Sequence, residues 1–121
     1  MHTIIPGMAA ENRRVFMPFG VMGGQYQAMG HAHLLVRLFD HGLDLQSAID
    51  LPRLFPLPGM NVVEMEERLR DLHGDALKAR GFVVQAPAWA IGGAQAIWID
   101  WERGTLLGGS DQRKDGCALG F

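Results

Sequence analysis

The length, composition and charge of this sequence exclude several classes of protein. It has 121 residues, of which 48% are hydrophobic and 20% charged, and its formal net charge is −2. This size fits one ordinary domain or a part of a larger one. The near-neutral charge lacks the basic excess that nucleic-acid binding requires, so we expect no nucleic-acid partner. The single cysteine, Cys117, excludes an intrachain disulfide and a cysteine-based zinc site.

The sequence shows no pattern typical of membrane insertion or export. No run of about 18 apolar residues is present, and the first residues lack a basic region followed by an apolar core. We therefore expect no membrane partner, no membrane span and no secretory signal. A cytoplasmic and a periplasmic location both stay open.

The first part of the chain predicts a hairpin followed by a helix. Two apolar segments, residues 3–8 and 14–22, flank a polar turn and indicate two antiparallel strands. Gly23 and Gly24 end the second strand. The dense apolar run over residues 27–41 predicts a helix that is largely buried.

Further elements follow in chain order. They are a short helix between the capping residue Asp44 and Pro52, an extended connector over 52–60, a strand over 61–65, an amphipathic helix over 66–80, a strand over 82–85, and a hairpin of strands 94–101 and 105–107. In the amphipathic helix, the spacing places Leu69, Leu72, Ala76 and Ala79 on the packed face. The return of apolar residues at the end of the chain predicts a packed C-terminus.

Gly23 and Gly24 form the first candidate site, because they join a strand to a helix. Glycines there let backbone N–H groups approach a reacting atom or an anion, with the positive end of the helix behind them. A phosphate-binding loop would continue with Lys and Ser or Thr, but Gln25 and Tyr26 follow. We therefore expect no nucleotide cofactor, and a tight turn without a ligand stays open as the alternative.

Metal sites are not predicted. His31 and His33 are two residues apart in the predicted helix, so their side chains point about 200° away from each other and cannot chelate one ion. The Asp111-Gln-Arg113 run resembles the start of a calcium loop, but it has arginine at the second ligand position. No metal or other cofactor is expected.

A nucleophile with a recognisable catalytic setting is also missing. The hydroxyl and thiol side chains other than tyrosine are Thr3, Ser47, Thr105, Ser110 and Cys117. None lies in a Gly-x-Ser-x-Gly elbow or in a known cysteine signature. No complete catalytic set is visible in the sequence.

Five segments, in this order and spacing, resemble the C-terminal part of the small subunit in the γ-glutamyltranspeptidase family. They begin at His2 (HTIIPGM), Phe19 (FGVMGG), Asp40 (DHGLDLQSAIDLPR), Gly92 (GGAQA) and Gly108 (GGSDQRKDG). The Gly-Val-Met-Gly-Gly variant resembles the γ-glutamyltranspeptidase-like acylase branch. The resemblance covers essentially the whole chain.

The resemblance implies an α+β fold, the C-terminal portion of an αββα N-terminal-nucleophile hydrolase sandwich. In that family autocleavage frees a threonine, which attacks a γ-glutamyl amide such as that of glutathione, and water or an amine then resolves the acyl-enzyme. By motif match, Gly23 and Gly24 correspond to the double glycine whose backbone N–H groups form the oxyanion hole.

The family's nucleophilic segment precedes the part that this chain resembles. We therefore expect residues 1–121 to form a single partial domain that is inactive alone and binds a γ-glutamyl substrate only in the complete enzyme. Its expected partner is the nucleophile-bearing portion or the large subunit. The alternative is a non-catalytic complementing chain that docks through open sheet edges, and self-association into a homo-oligomer also stays open. A free-standing binding module is disfavoured, because the apolar helix needs a partner layer.

Overall fold

The computed structural model describes residues 3–120 and contains two compact units. Among these residues, one unit comprises 3–50 and 92–120, and the other comprises 51–91. His2, which opens the first of the five segments, lies outside the described residues. In chain order the elements are β1 (Gly7–Glu11), β2 (Arg14–Met22), α1 (Gln27–Phe39), α2 (Leu45–Asp50), β3 (Leu54–Pro56), β4 (Val62–Met65), α3 (Glu67–Ala79), β5 (Val83–Gln85), β6 (Gly93–Asp100) and β7 (Thr105–Ser110).

The first unit is built on a four-stranded sheet in the order β1-β2-β6-β7, with every neighbouring pair antiparallel. Helices α1 and α2 pack on one face of this sheet. Phe19 of β2 contacts His31 of α1, and a side chain at Gly109 of β7 would meet Ile49 of α2. The predicted hairpin of β6 and β7 is confirmed.

The predicted first hairpin is also confirmed, but its first strand lies later in the chain than expected. Strand β1 begins at Gly7 and continues through Glu11, so it includes residues 9–11, which the sequence pattern assigns to the turn. The turn itself consists of Asn12 and Arg13, whose φ angles are 50° and 64°. Two successive positive φ angles match the right-handed twist of a tight hairpin, and asparagine tolerates them well.

Helix α1 buries one face rather than most of its surface. Val36 is 42% exposed and Phe39 is 50% exposed, so the prediction of a largely buried helix is wrong for this chain. The single sheet of this unit supplies only one packing layer, and only one side of the helix faces it. The buried positions are Gln27, Gly30, Leu34 and Leu38.

Helix α2 begins as its sequence predicts. The carboxylate of Asp44 accepts a hydrogen bond from the Ser47 backbone N–H at 2.9 Å. Hydrogen bonds from the Ser47 side chain and backbone lower the pKa of this carboxyl below its ordinary value. Asp44 therefore caps the helix in its ionised form.

The second unit contains a three-stranded sheet in the order β3-β4-β5. Strands β4 and β5 are parallel and are joined by α3. The predicted connector over residues 52–60 contains a strand, because Leu54–Pro56 pairs antiparallel with β4. Pro56 is tolerated there because β3 is an edge strand.

The packed face of α3 differs from the prediction. Leu72 is 66% exposed, Ala76 and Ala79 are also exposed, and Leu69 is half-buried. The buried position is instead Gly74, where a Cβ would lie 3.7 Å from Val84 of β5. Apolar periodicity does not detect this face of α3, because the residue closest to the sheet is a glycine, which has no side chain.

The C-terminal segment lies along the large sheet but is not buried. A Cβ on Gly108 of β7 would lie 2.9 Å from the Ala118 Cβ, whereas residues 115–120 are exposed and Leu119 is 88% exposed. The prediction of a packed end therefore holds for its position and not for its burial. Within residues 3–120, no helix has the length and apolar character needed to cross a membrane.

Two mid-helix glycines are expected to respond in opposite ways to alanine. At Gly30 the new Cβ would lie 2.5 Å from Cγ1 of Val21, so Gly30→Ala should destabilise by about 1–3 kcal/mol through overpacking. At Gly74 the nearest atoms lie 3.4 Å away or more, so Gly74→Ala should stabilise by about 0.5–1 kcal/mol. Denaturant unfolding measures both free energies. Equal effects would contradict the packing described here.

Candidate functional site

The candidate site is the loop between β2 and α1. Strand β2 ends at Met22, and Gly23 and Gly24 follow with φ angles of 133° and 57°. Side chains with a Cβ rarely adopt these conformations. A single 3₁₀ turn over Gly24–Tyr26 then leads into α1. Both glycines are exposed residues.

This loop lies against a second pair of glycines. The ladder between β2 and β6 pairs Met22 with Gly93, which brings Gly92 alongside Gly23. A Cβ on Gly23 would lie 2.9 Å from the Gly92 Cα, and a Cβ on Gly92 would lie 2.6 Å from the Met22 carbonyl oxygen. The two chain segments therefore touch backbone to backbone.

The hydrogen bonds of the loop leave its donors available. Among residues 3–120, the N–H groups of Gly23 and Gly24 donate to no protein acceptor. Their carbonyls are occupied, because the Tyr26 N–H binds the Gly23 oxygen at 3.0 Å and the Gln27 side-chain amide binds the Gly24 oxygen at 3.0 Å. Two adjacent backbone donors on exposed residues thus have no acceptor within residues 3–120, an arrangement that suits an anion or a polarised carbonyl oxygen.

Tyr26 lies buried beneath this loop, with 2% of its surface exposed. Its ring occupies the space that side chains at Gly30 and Gly92 would need, since a Cβ at either would come within 2.8 Å of the ring. The hydroxyl is 3.1 Å from Nδ1 of His33. The ring therefore fixes the first turn of α1 against the Gly92 segment.

His31 and His33 have different partners. Nε2 of His31 accepts a hydrogen bond from the Val21 N–H at 3.2 Å, whereas His33 contacts the Tyr26 hydroxyl. Burial lowers the pKa of His31, so its neutral form is favoured. Within the described residues, no group of three or more His, Cys, Asp or Glu side chains is arranged to hold a metal ion.

Asp111 links separate elements of the first unit. Asp111 is fully buried; one carboxylate oxygen accepts the Ala94 N–H at 2.7 Å, and the other contacts the Arg113 guanidinium at 3.2 Å. Arg113 also donates to the carbonyl oxygens of Ile49 and Asp50 at the end of α2. These bonds tie the start of β6 to the end of α2.

None of the candidate nucleophiles that the structure describes is hydrogen-bonded to a histidine. Thr3, Thr105 and Cys117 are exposed, and Ser47 interacts with the helix cap Asp44. The hydroxyl of Ser110 is buried and has no partner within the described part of the chain. None of these side chains has the adjacent base that activates a nucleophile.

Sequence reasoning singles out Gly23 and Gly24 but misses the residues that hold them. Tyr26 enters it only as a residue that rules out a phosphate loop, and Gln27 only as the start of a helix. The position of Gln27 could have indicated its role, because it is a long polar side chain at the start of an otherwise apolar helix face. Polar side chains at such positions are buried only when hydrogen-bonded.

Solved structures identify the class of fold. The chain superposes on cephalosporin acylase from Bacillus halodurans with a TM-score of 0.87 and 39% identity, over 96% of this chain and 22% of that one. A γ-glutamyltranspeptidase from Pseudomonas nitroreducens matches with a TM-score of 0.84 and 21% identity, over 100% of this chain and 63% of that one. The expected α+β fold, part of an αββα N-terminal-nucleophile hydrolase sandwich, is confirmed.

Sequence comparison identifies the family of the chain. The family model for γ-glutamyltranspeptidase matches residues 1–121, and the chain belongs to the γ-glutamyltranspeptidase family. It is 32% identical to the glutathione hydrolase-like YwrD proenzyme of Bacillus subtilis (strain 168), over 99% of this chain and 24% of that protein. The chain thus spans about a quarter of the length of that curated relative.

Acidification is expected to reduce the stability of the protein through His31. Because burial lowers its pKa below 6.5, the unfolded chain binds a proton at a higher pH than the folded chain does. The contribution of His31 to the free energy of unfolding is fully present above pH 6.5. It is lost as the pH falls, with a slope of at most about 1.4 kcal/mol per pH unit for one proton. Denaturant unfolding between pH 7.5 and 5 should show a smaller acid loss in His31→Leu. The exposed His73→Leu serves as control, and equal slopes in all three proteins would contradict the prediction.

Removing the charge of Asp111 is expected to be strongly destabilising. Asp111→Asn keeps the size of the side chain but leaves the guanidinium of Arg113, 11% exposed, without its carboxylate. Breaking a buried pair on one side costs about 3–5 kcal/mol. The exposed Asp115→Asn should change stability by less than about 0.5 kcal/mol. Unfolding free energies that agree for the two variants would exclude the anchoring role.

Proposed function

We propose that this chain forms part of an amide-cleaving enzyme and that Gly23 and Gly24 donate their N–H groups to the oxyanion. The observation that carries the proposal is the pair of backbone donors on the exposed residues Gly23 and Gly24, unpaired within residues 3–120, in a chain of this family. Carbonyl groups become negatively charged at oxygen when a nucleophile attacks them. Fixed backbone donors stabilise that charge without having to reorganise.

In the reaction we propose, a hydroxyl oxygen supplied from outside these 121 residues attacks the amide carbon. The carbonyl oxygen gains negative charge, the C–N bond breaks, and the hydroxyl proton leaves with the amine. Water then attacks the ester, releasing the acid and restoring the hydroxyl. The larger size of the relatives supports a nucleophile from another segment, and two of the relatives are named as proenzymes.

The substrate class of the proposal is a γ-glutamyl amide, such as glutathione, or a related acyl amide. One relative is named glutathione hydrolase-like, and another, 35% identical over 97% of this chain and 20% of that protein, is an acylase of Pseudomonas sp. (strain SE83). A γ-glutamyl anilide and the glutaryl anilide that lacks its α-amino group distinguish the two classes. The isolated chain should cleave neither.

The second face of the large sheet supports the proposal that residues 1–121 form one partial domain. Its face opposite α1 and α2 carries Met8, Ile97 and Leu106, exposed by 72%, 43% and 69%. They line an open groove of about 1050 Å³. Apolar side chains on this scale mark a surface that another layer covers. The same surface supports the alternative, a complementing chain without a catalytic role.

The oxyanion role predicts different effects for two substitutions of Gly24 in the complete enzyme that carries this segment. Gly24→Pro removes the N–H donor and, because proline holds φ near −65°, also displaces the backbone from its φ of 57°, so kcat should fall by at least about 10²–10³. Gly24→Ala keeps the donor and meets no atom within 4 Å, so only the cost of its positive φ remains. Steady-state kinetics with the two anilides measures the difference.

Gly42→Ala is the matched control for this experiment. Gly42 has a φ of 65° and, like Gly24, no atom within 4 Å of the position that a Cβ would occupy. It reports the stability cost of alanine in a left-handed conformation, away from the loop. A Gly24→Pro enzyme that folds, self-cleaves and turns over at the parental rate would show that the double glycine is only a turn, which would favour the complementing chain.

A further inference from the structure

We propose that Gln27 is a positioning residue that holds the Gly23-Gly24 loop in its donor-presenting conformation. The inference rests on the proposed function of that loop and adds a side chain to it. Gln27 is the first residue of α1 and is 5% exposed. Its side-chain amide donates to the Gly24 carbonyl oxygen at 3.0 Å.

The loop needs such a restraint because Gly24 has no steric one. No atom lies within 4 Å of the position that a Cβ would occupy, and glycine itself permits a wide range of backbone angles. Hydrogen bonds to the carbonyls are therefore what fixes the two peptide planes on either side of the Gly24 Cα. The Tyr26 N–H holds the first plane through the Gly23 oxygen, and Gln27 holds the second.

The first of these planes contains the Gly24 N–H and the second contains the Gln25 N–H, so holding both restrains the backbone angles of Gly24 and the direction of its N–H. In a trans peptide the N–H and C=O bonds point in opposite directions. When the Gly23 oxygen is bound toward the helix, the Gly24 N–H must point away from it. The Gly24 oxygen receives two donors from one residue, the backbone N–H and the side-chain amide of Gln27. The side chain thus closes the turn at the point where the backbone alone has the most freedom.

The burial of Gln27 is hard to explain by packing alone. A buried amide costs free energy unless it is hydrogen-bonded, and a leucine would fill the same helix face without that cost. Gln25, two residues earlier, is exposed, and its side chain makes no hydrogen bond among the described residues. The two glutamines therefore form a natural pair, because the side chain of Gln27 bonds to the loop and that of Gln25, which lies in the loop, does not.

The test compares Gln27→Met with Gln25→Met in the complete enzyme. Methionine keeps the length of the side chain and removes its donor. For Gln27→Met we expect kcat to fall about 10-fold with KM nearly unchanged, because a misdirected donor weakens transition-state stabilisation more than substrate binding. For Gln25→Met both constants should stay parental. A parental kcat in Gln27→Met would overturn the proposal.

A third variant, Gln27→Glu, separates hydrogen bonding from packing. An ionised carboxylate cannot donate to the Gly24 oxygen, whereas a protonated one can. The ratio of its kcat to the parental kcat should therefore rise as the pH falls through the pKa of the new carboxyl. A ratio that stays constant over that range would count against a donor role.

Glycine-selective ¹⁵N labelling distinguishes a failure of this inference from a failure of the proposed function. Gln27→Met should shift the Gly24 amide resonance by more than Gln25→Met does. An unchanged Gly24 amide in Gln27→Met would refute the positioning role whatever the activity. If the Gly24 amide moves as expected and Gly24→Pro nevertheless remains fully active, the oxyanion assignment is the part that fails.

Discussion

The close contact between Gly23 and Gly92 is the constraint on which the rest of the site depends. With 2.9 Å between a Cβ on Gly23 and the Gly92 Cα, the two segments meet without any side chain between them. The Tyr26 ring fills the space beside this contact, and the buried Asp111 fixes β6 just after it through the Ala94 N–H. The loop that presents the backbone donors is therefore built on a rigid base, while its exposed tip is held by hydrogen bonds alone.

Much of the fold could be predicted from the sequence, because local signals agree with the final structure. The Asp44 cap, the two hairpins and the order of the helices and of the strands other than β3 follow from turn chemistry and apolar periodicity. The errors in helix burial share one cause, which is that periodicity counts side chains and not neighbours. It places Leu72 on the packed face of α3, where Gly74 makes the contact instead, and it buries α1 on sides that face no layer in this unit.

The site was only partly predictable. The strand, double glycine and helix point to backbone donors at Gly23 and Gly24, and that position follows from chain order alone. The contacts that shape the loop join distant parts of the sequence, and no local pattern pairs Gly23 with Gly92 or Asp111 with Ala94. Gln27 is close in sequence, but its role depends on which way its side chain turns at the start of the helix.

The Gly23–Gly92 contact also limits how this loop can evolve. A side chain gained at either position would collide with the backbone of the other segment, and no smaller residue exists to compensate at its partner. We therefore expect neither Gly23 nor Gly92 to tolerate substitution, even though neither residue contributes a functional side chain. By contrast, the open space around Gly24 leaves selection on its backbone angle as the main restraint. The two neighbouring glycines are thus restrained differently. Close contact with Gly92 excludes a side chain at Gly23, whereas at Gly24 the positive φ angle is what favours glycine.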